Sequence, residues 1–317
     1  MQLRALLFLV VSVVAGVSTA ANAEPFKIVV GQKRVWDTAM IEFGIRAGLF
    51  KAEGLDVDML FTNGGGEPLQ AVLSGSVVMS VSSGLLGVMS MVAKGAPLKI
   101  ISANFTGTSE SYWYVRTDSP IKSVQDIEGK SIAFTGFGSS SQMQLMALLN
   151  QYGIKAKTVA AGDPTGIMTS VLSGQIDVGF SPAPLNLKAV EDGKVRIIAH
   201  GSDIVALKNQ TVRVNVATAD TLSQKRDLIQ RFTRGLRATV EFVYSDPRPL
   251  EWFAEMHGLT FEQTRRARDE FLPRSAMQPG APSNVELSIE QAKQFKYVPP
   301  NFTARDLAAS LDLVDAR

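Results

Sequence analysis

The sequence predicts an α/β fold in two lobes, each a mostly parallel sheet flanked by helices. Three observations carry this. Short β-branched runs alternate with stretches whose apolar residues recur at helical spacing. The alternation restarts after residues 111–116, and residues 71–82 and 170–181 echo one another as helix exit, glycine stop and apolar strand. A length of 317 residues suits about two domains.

Each element follows from local chemistry. Residues 26–30 form a β-branched strand ending at Gly31, and Met40, Ile41, Gly44, Ile45 and Leu49 recur as a helix face. Strand 57–61 precedes a short helix opened by Pro68 and stopped by Gly75. Strand 77–81, helix 85–92 and strand 98–102 follow. After 111–116, Ser123 caps a turn with Asp126 three residues on. Strand 131–134 leads into helix 140–152, stopped by Gly153. Strand 158–160 precedes a helix between Pro164 and Gly174; strand 176–180, a helix through Val190 and strand 195–199 complete the unit. Strand 211–217 is the last. Helix 225–244 then sets Leu228, Ile229, Phe232, Leu236, Val240 and Val243 on one face. Pro247 and Pro249 break the chain before a helix at 250–256, and Thr260/Gln263 and Ser288/Gln291 read as capping boxes. Thr303 with Asp306 starts the final helix.

Residues 1–23 read as a secretory signal. Arg4 precedes a 13-residue apolar run, and Ala21-Asn22-Ala23 forms a small-x-small cleavage site. The run is too short to span a bilayer, which takes roughly 20 residues. Export is therefore expected, with lobe 1 built from residues 24–112 and 202–317 and lobe 2 from residues 113–201.

Composition narrows the chemistry. With no cysteine, disulfides, thiol nucleophiles and thiolate metal sites are excluded. Two histidines, His200 and His257, do not make a zinc-hydrolase cluster. Lys and Arg total 32 against 30 Asp and Glu, so there is no electrostatic footprint for nucleic acid. Gly136-Phe137-Gly138 departs from the dinucleotide fingerprint at Ser141, and no P-loop occurs. No cofactor or metal is expected.

Ligands of open parallel sheets sit beyond the carboxyl ends of the strands. There the sequence sets Gly65, then Ser82 and Ser83, Asn104, Gly138 to Ser140, Asp163 and Pro182. Most of these lie in small or hydroxyl-rich loops entering helix N-termini, whose free N–H groups cradle anions. Capping explains any one such loop; several at equivalent positions point to a shared cleft. Trp36 sits in a polar strand-end loop, where it either stacks on a flat ligand or closes the core. Arg34 beside it is a candidate to neutralise an anion. Tyr112 and Tyr114 share one strand face at the crossing between lobes, one side lining the cleft floor.

The segments 48–57, Leu73-Ser74-Gly75, 94–100, 115–130 and 172–177 resemble the periplasmic substrate-binding proteins of ABC importers. The similarity is to the nitrate/sulfonate/taurine-type group, related to the thiamine-pyrimidine synthases. It implies a type II binding-protein fold with a two-strand hinge. It also implies ligand-facing roles for Trp36, the loop 64–66, Ser82, Ser83 and residues 138–141. Phe180 to Pro184 departs from the family pattern, which often carries an acidic element there; Asp163 substitutes only if its loop turns inward. The implied function is an extracytoplasmic, monomeric carrier delivering a small organic anion or flat polar solute to the transmembrane subunits of a permease. The alternatives are a pyrimidine-precursor synthase on the same fold and a solute-sensing partner of a membrane receptor.

Overall fold

A computed structural model describes residues 23–314. The expected export signal lies outside the described residues, apart from Ala23. In chain order the first unit runs β1 (Glu24–Val30), α1 (Trp36–Arg46), α2 (Leu49–Ala52), β2 (Leu55–Phe61), α3 (Glu67–Leu73), β3 (Met79–Gly84), α4 (Leu85–Ala93) and β4 (Leu98–Thr106). The second runs β5 (Ser111–Arg116), β6 (Ser131–Phe134), α5 (Ser140–Tyr152), β7 (Lys157–Ala160), α6 (Pro164–Leu172), β8 (Gly179–Pro182), α7 (Leu187–Glu191) and β9 (Val195–His200). The chain returns through β10 (Thr211–Thr218) and ends in α8 (Ala219–Ser245), α9 (Arg248–His257), α10 (Phe261–Phe271), α11 (Val285–Gln294) and α12 (Ala304–Ala309).

The larger sheet has the order β2-β1-β3-β10-β4. β1 is parallel to β2 and β3, while β10 is antiparallel to β3 and β4. In the second unit β5 is antiparallel to β8 and β9, and β6 is parallel to β7. A single bridge, Ile132 to Val178, joins these two pieces. The sheets are thus mixed rather than mostly parallel. The reason is direction of entry: β10 comes back from the second unit without a helical crossover, so it runs against its neighbours.

Two further expectations change. Pro249 does not precede the helix but lies in the first turn of α9, where its missing N–H costs nothing. Ser288 and Gln291 are interior to α11 and buried; they bond the Gln210 amide at 2.8 and 2.7 Å instead of capping. The boxes at Thr260/Gln263 and Thr303/Asp306 form as expected.

Long α8 sets Ile229, Phe232, Leu236, Val240 and Val243 into the core. Phe232 stacks between Phe26 and Phe50, with ring centroids 5.1 and 5.0 Å away, tying the helix to β1 and α2. Among the described residues no helix is long and apolar enough to cross a membrane.

Two chain crossings join the units and lie side by side. Gly107 N–H donates to Gln210 O at 2.8 Å, and Thr108 Oγ1 donates to Gly201 O at 2.8 Å. A Cβ on Gly201 would stand 1.9 Å from Thr108 O. Gly201→Ala is therefore expected to wedge the crossings apart and cost about 1–3 kcal/mol, read as a lower urea midpoint. A second prediction concerns His257, whose ring packs edge-on against Phe253 at 4.5 Å. Burial, with the Arg34 cation beside it, pushes its imidazole down to about 4. Unfolding restores a value near 6.5, so the unfolded chain binds more protons between these limits and stability falls as the pH drops through them. The loss is expected to reach about 2 kcal/mol, allowing for the solvent the ring still meets, and His257→Gln should flatten that part of the pH–stability curve.

Candidate functional site

The strand ends of both units face one another across an open-sided cavity of about 60 Å³. Gly31, Gln32, Asp37 and Thr38 after β1, with Gly64 and Gly65 after β2, form one wall. Ser82 to Gly84 close it from β3. Thr135 and Ser139 to Ser141 face them from the second unit, with Phe180 and Pro182 from β8. Glu110, in the first crossing, and Arg213, in β10, complete the lining.

The charged residues organise this wall. Arg213 Nε stands 3.0 Å from Asp37 Oδ2, Nη1 pairs with Glu110, and the guanidinium lies 4.4 Å over the Phe105 ring. Nη1 also reaches Ser140 Oγ at 3.4 Å, across the gap between units. Burial pushes the Glu110 carboxyl up, against the pull of Arg213. Burial also opposes the Arg213 charge, but Asp37 and Glu110 together outweigh it and hold the guanidinium protonated. Asp37 Oδ2 further accepts Asn104 Nδ2 at 3.1 Å and the Ser82 hydroxyl. Ser82 adopts a left-handed backbone, φ 68°, which costs a non-glycine residue about 1–3 kcal/mol. Asn215 Oδ1 holds it there by accepting Ser82 N–H at 3.1 Å. Three polar atoms of this cluster are buried without a hydrogen-bond partner: Asp37 Oδ1, Arg213 Nη2 and Arg213 Nε, which meets Asp37 Oδ2 only as an ion pair.

Most hydroxyls are committed elsewhere. Ser139 caps α5 by accepting Gln142 N–H at 3.1 Å. Ser141 Oγ accepts Thr135 N–H at 3.0 Å and contacts Ser139 Oγ and Thr135 Oγ1, each at 2.8 Å. Ser83 Oγ pairs with Ser80 Oγ at 2.7 Å. The first-turn N–H groups of Ser140 and Ser141 have no acceptor within the helix, as at any helix start.

Six of the expected site residues line the cavity: Gly65, Ser82, Ser83, Ser139, Ser140 and Pro182. The other six do not. Arg34 is exposed and donates to Met256 O, so its charge is spent outside the cleft. Trp36 is fully buried against Phe43, Tyr244 and Phe253, with centroids 6.1, 6.1 and 4.9 Å away, and its Nε1 donates to Tyr244 Oη at 3.1 Å. It starts α1 and turns into the core, so no ligand stacks on it. Tyr112 is buried with its hydroxyl on Leu185 O. Asn104 stands behind the wall and supports Asp37. Asp163 caps α6 through Thr165 and Gly166 N–H at 2.8 and 3.3 Å. Gly138 forms the seam between units: a Cβ on Gly84 or Gly87 would stand 2.5 or 2.4 Å from Gly138 O.

Asp37, Glu110 and Arg213 are the residues that sequence reading passed over. Arg213 carried a legible signal, since a charge flanked by Val212, Val214 and Val216 within a strand demands a buried partner. Among the described residues, no three His, Cys, Asp or Glu side chains are grouped to hold a metal ion.

Two α/β lobes, two crossings and a cavity between strand ends define a binding-protein fold. The chain belongs to the NMT1/THI5-like family, whose model matches residues 38–249. A protein of Escherichia coli named for aliphatic-sulfonate binding is 29% identical over 207 residues, covering 58% of this chain and 64% of the relative. The 4-amino-5-hydroxymethyl-2-methylpyrimidine phosphate synthase THI13 of Saccharomyces cerevisiae is 19% identical over 212 residues, covering 63% and 61%. The matches thus span less than two thirds of these relatives. Among solved structures, the alkanesulfonate-binding protein SsuA from Xanthomonas axonopodis pv. citri, bound to MOPS, has a TM-score of 0.73 at 18% identity, covering 92% of this chain and 99% of that one. The periplasmic nitrate-binding protein NrtA from Synechocystis PCC 6803 has a TM-score of 0.67 at 15% identity, covering 91% and 85%. The solved structures, each under 25% identical to this chain, share its fold.

The seam yields a prediction. Gly87→Ala places a methyl group 2.4 Å from Gly138 O, so if the units part to admit a solute it should shift the population toward that open form. The expected result is a larger radius of gyration in solution scattering and about tenfold weaker solute affinity, with the melting temperature little changed.

Proposed function

We propose that this chain is the extracytoplasmic solute-binding component of an ABC importer. The two units, residues 24–112 with 202–317 and residues 113–201, act as lobes that close on a small polar solute and present it to a permease. One observation carries this reading: a small cavity is walled by strand ends of both units, with a buried charged cluster in its lining. A ligand touching both walls is fully bound only in the closed state, so binding favours closure. The aromatic stacking expected of Trp36 drops out, and a flat solute loses its support. Synthase chemistry on a pyrimidine phosphate is the weaker reading. Both histidines stand away from the cavity, His200 stacked on Phe271 at 5.9 Å and His257 beside Phe253.

Native mass spectrometry of the chain freshly purified from an exporting host tests the proposal. The expected mass corresponds to a protein beginning at Glu24 carrying one small co-purified solute, and adding that solute to stripped protein should reduce its radius in solution scattering. No mass increment, with no change of radius for nitrate, sulfonates, carboxylates or amino acids, would sink it. So would turnover of a pyrimidine precursor.

A further inference from the structure

The C-terminal segment reaches across to the second unit outside the cavity. α11 packs against α4, and its Gln291 accepts the buried Gln210 amide of the second crossing at 2.7 Å. The helix ends at Phe295, whose N–H donates to Gln291 O at 2.8 Å, and Lys296 then takes a left-handed backbone, φ 62°. That conformation favours glycine, and a lysine adopts it at a cost. It persists because Tyr297 N–H returns to Ala292 O at 2.7 Å and the following Val298 is buried. Tyr297 therefore leaves the first unit in a fixed direction.

Its hydroxyl donates to Gln142 Oε1, in the first turn of α5. The same oxygen accepts Gly138 N–H at 2.9 Å. Burial pushes the Tyr297 phenol up, so it stays a donor at any ordinary pH. Gly138 O in turn lies against Gly84 and Gly87. One chain of contacts thus runs from α11 through Tyr297, Gln142 and Gly138 to α4. It begins and ends in the first unit and passes through the second. Ser139 and Ser140, next along, line the cavity.

Position along α5 decides what this bond can do. Near the far end of the helix, Gln151 donates to Asp203 O at 2.8 Å and accepts Val205 N–H at 3.0 Å, beside the second crossing. Gln142 lies nine residues earlier, about 13 Å along the axis. If the units part about the crossings, displacement grows with distance from them. Gln151 then keeps its partners while Gln142 leaves Tyr297. Gln142 and Tyr297 border an open groove with Met91, Lys94 and Phe137, so water reaches both once they separate. A hydrogen bond exchanged for water in this way is worth a factor of about two to ten. That strength biases closure without making it permanent.

We propose that Tyr297 is a positioning residue for closure: its hydroxyl latches the start of α5 to the C-terminal segment and favours the arrangement in which the units meet. This rests on the reading of the two units as lobes that close on a solute.

Distances between spin labels test it, and a chain without cysteine takes labels only where they are placed. Gln70→Cys on α3 and Thr169→Cys on α6 set them at exposed positions of the two units. With no solute added, Tyr297→Phe is expected to raise the ratio of long to short distances about two- to tenfold over the labelled parent. Gln142→Met should do the same, while Gln142→Glu, which keeps an acceptor, should not. Tyr297→Phe combined with Gln142→Met should open the chain no further than either change alone. Labelled Gly87→Ala serves as the open reference. Distances unchanged in both Tyr297→Phe and Gln142→Met overturn the latch, and a lower melting temperature without a change of distance does so too. Widening in Tyr297→Phe supports it whether or not nitrate or methanesulfonate then shortens the distances of the labelled parent, a response that reads the solute site alone.

Discussion

The ion pairs of Arg213 are the constraint around which the rest of the cleft is arranged. A guanidinium in the middle of a buried strand cannot stand alone, because desolvating a lone charge costs several kcal/mol. Here it draws together β10, the start of α1 through Asp37, the first crossing through Glu110, and the start of α5 through Ser140. Buried ion pairs of this kind seldom add net stability over apolar residues of equal volume. Their presence is better explained by what they hold in position. The cluster leaves Asp37 Oδ1 and Arg213 Nη2 buried without partners in the protein.

Closure rests on a different force, the close approach of two backbones. Gly84 and Gly87 let the loop before α5 settle onto α4 with no side chain between them. The closest approach in that seam is backbone to backbone, with Gly138 O against Gly84 and Gly87. In the proposed closure, a ligand that bridges both walls favours the closed form, because it is fully bound only there.

Local signals were legible and long-range ones were not. Helix α5 was readable from Ser139 to Gly153 because capping and periodicity are written within a few residues. The boxes at Thr260 and Thr303 were readable for the same reason. Ser288 and Gln291 carry the same spacing but belong inside α11, and only Gln210, distant in sequence, decides that. The antiparallel course of β10 depends on how the chain re-enters the larger sheet, which no local pattern records. Trp36 follows a polar stretch and reads as a loop aromatic, yet Tyr244 and Phe253 of the C-terminal helices bury it. Asp37, one residue on, turns to the cavity instead.

The same distinction changes the meaning of the hydroxyl-rich loops. As sequence, Ser82, Ser83 and residues 139–141 look like ligand contacts. In the structure Ser139 and Ser141 bond each other, the Thr135 backbone and the start of α5, Ser83 bonds Ser80, and Ser82 and Ser140 bond Asp37 and Arg213. Their work is to stiffen the walls, and a stiff wall keeps its few unpaired atoms in fixed places.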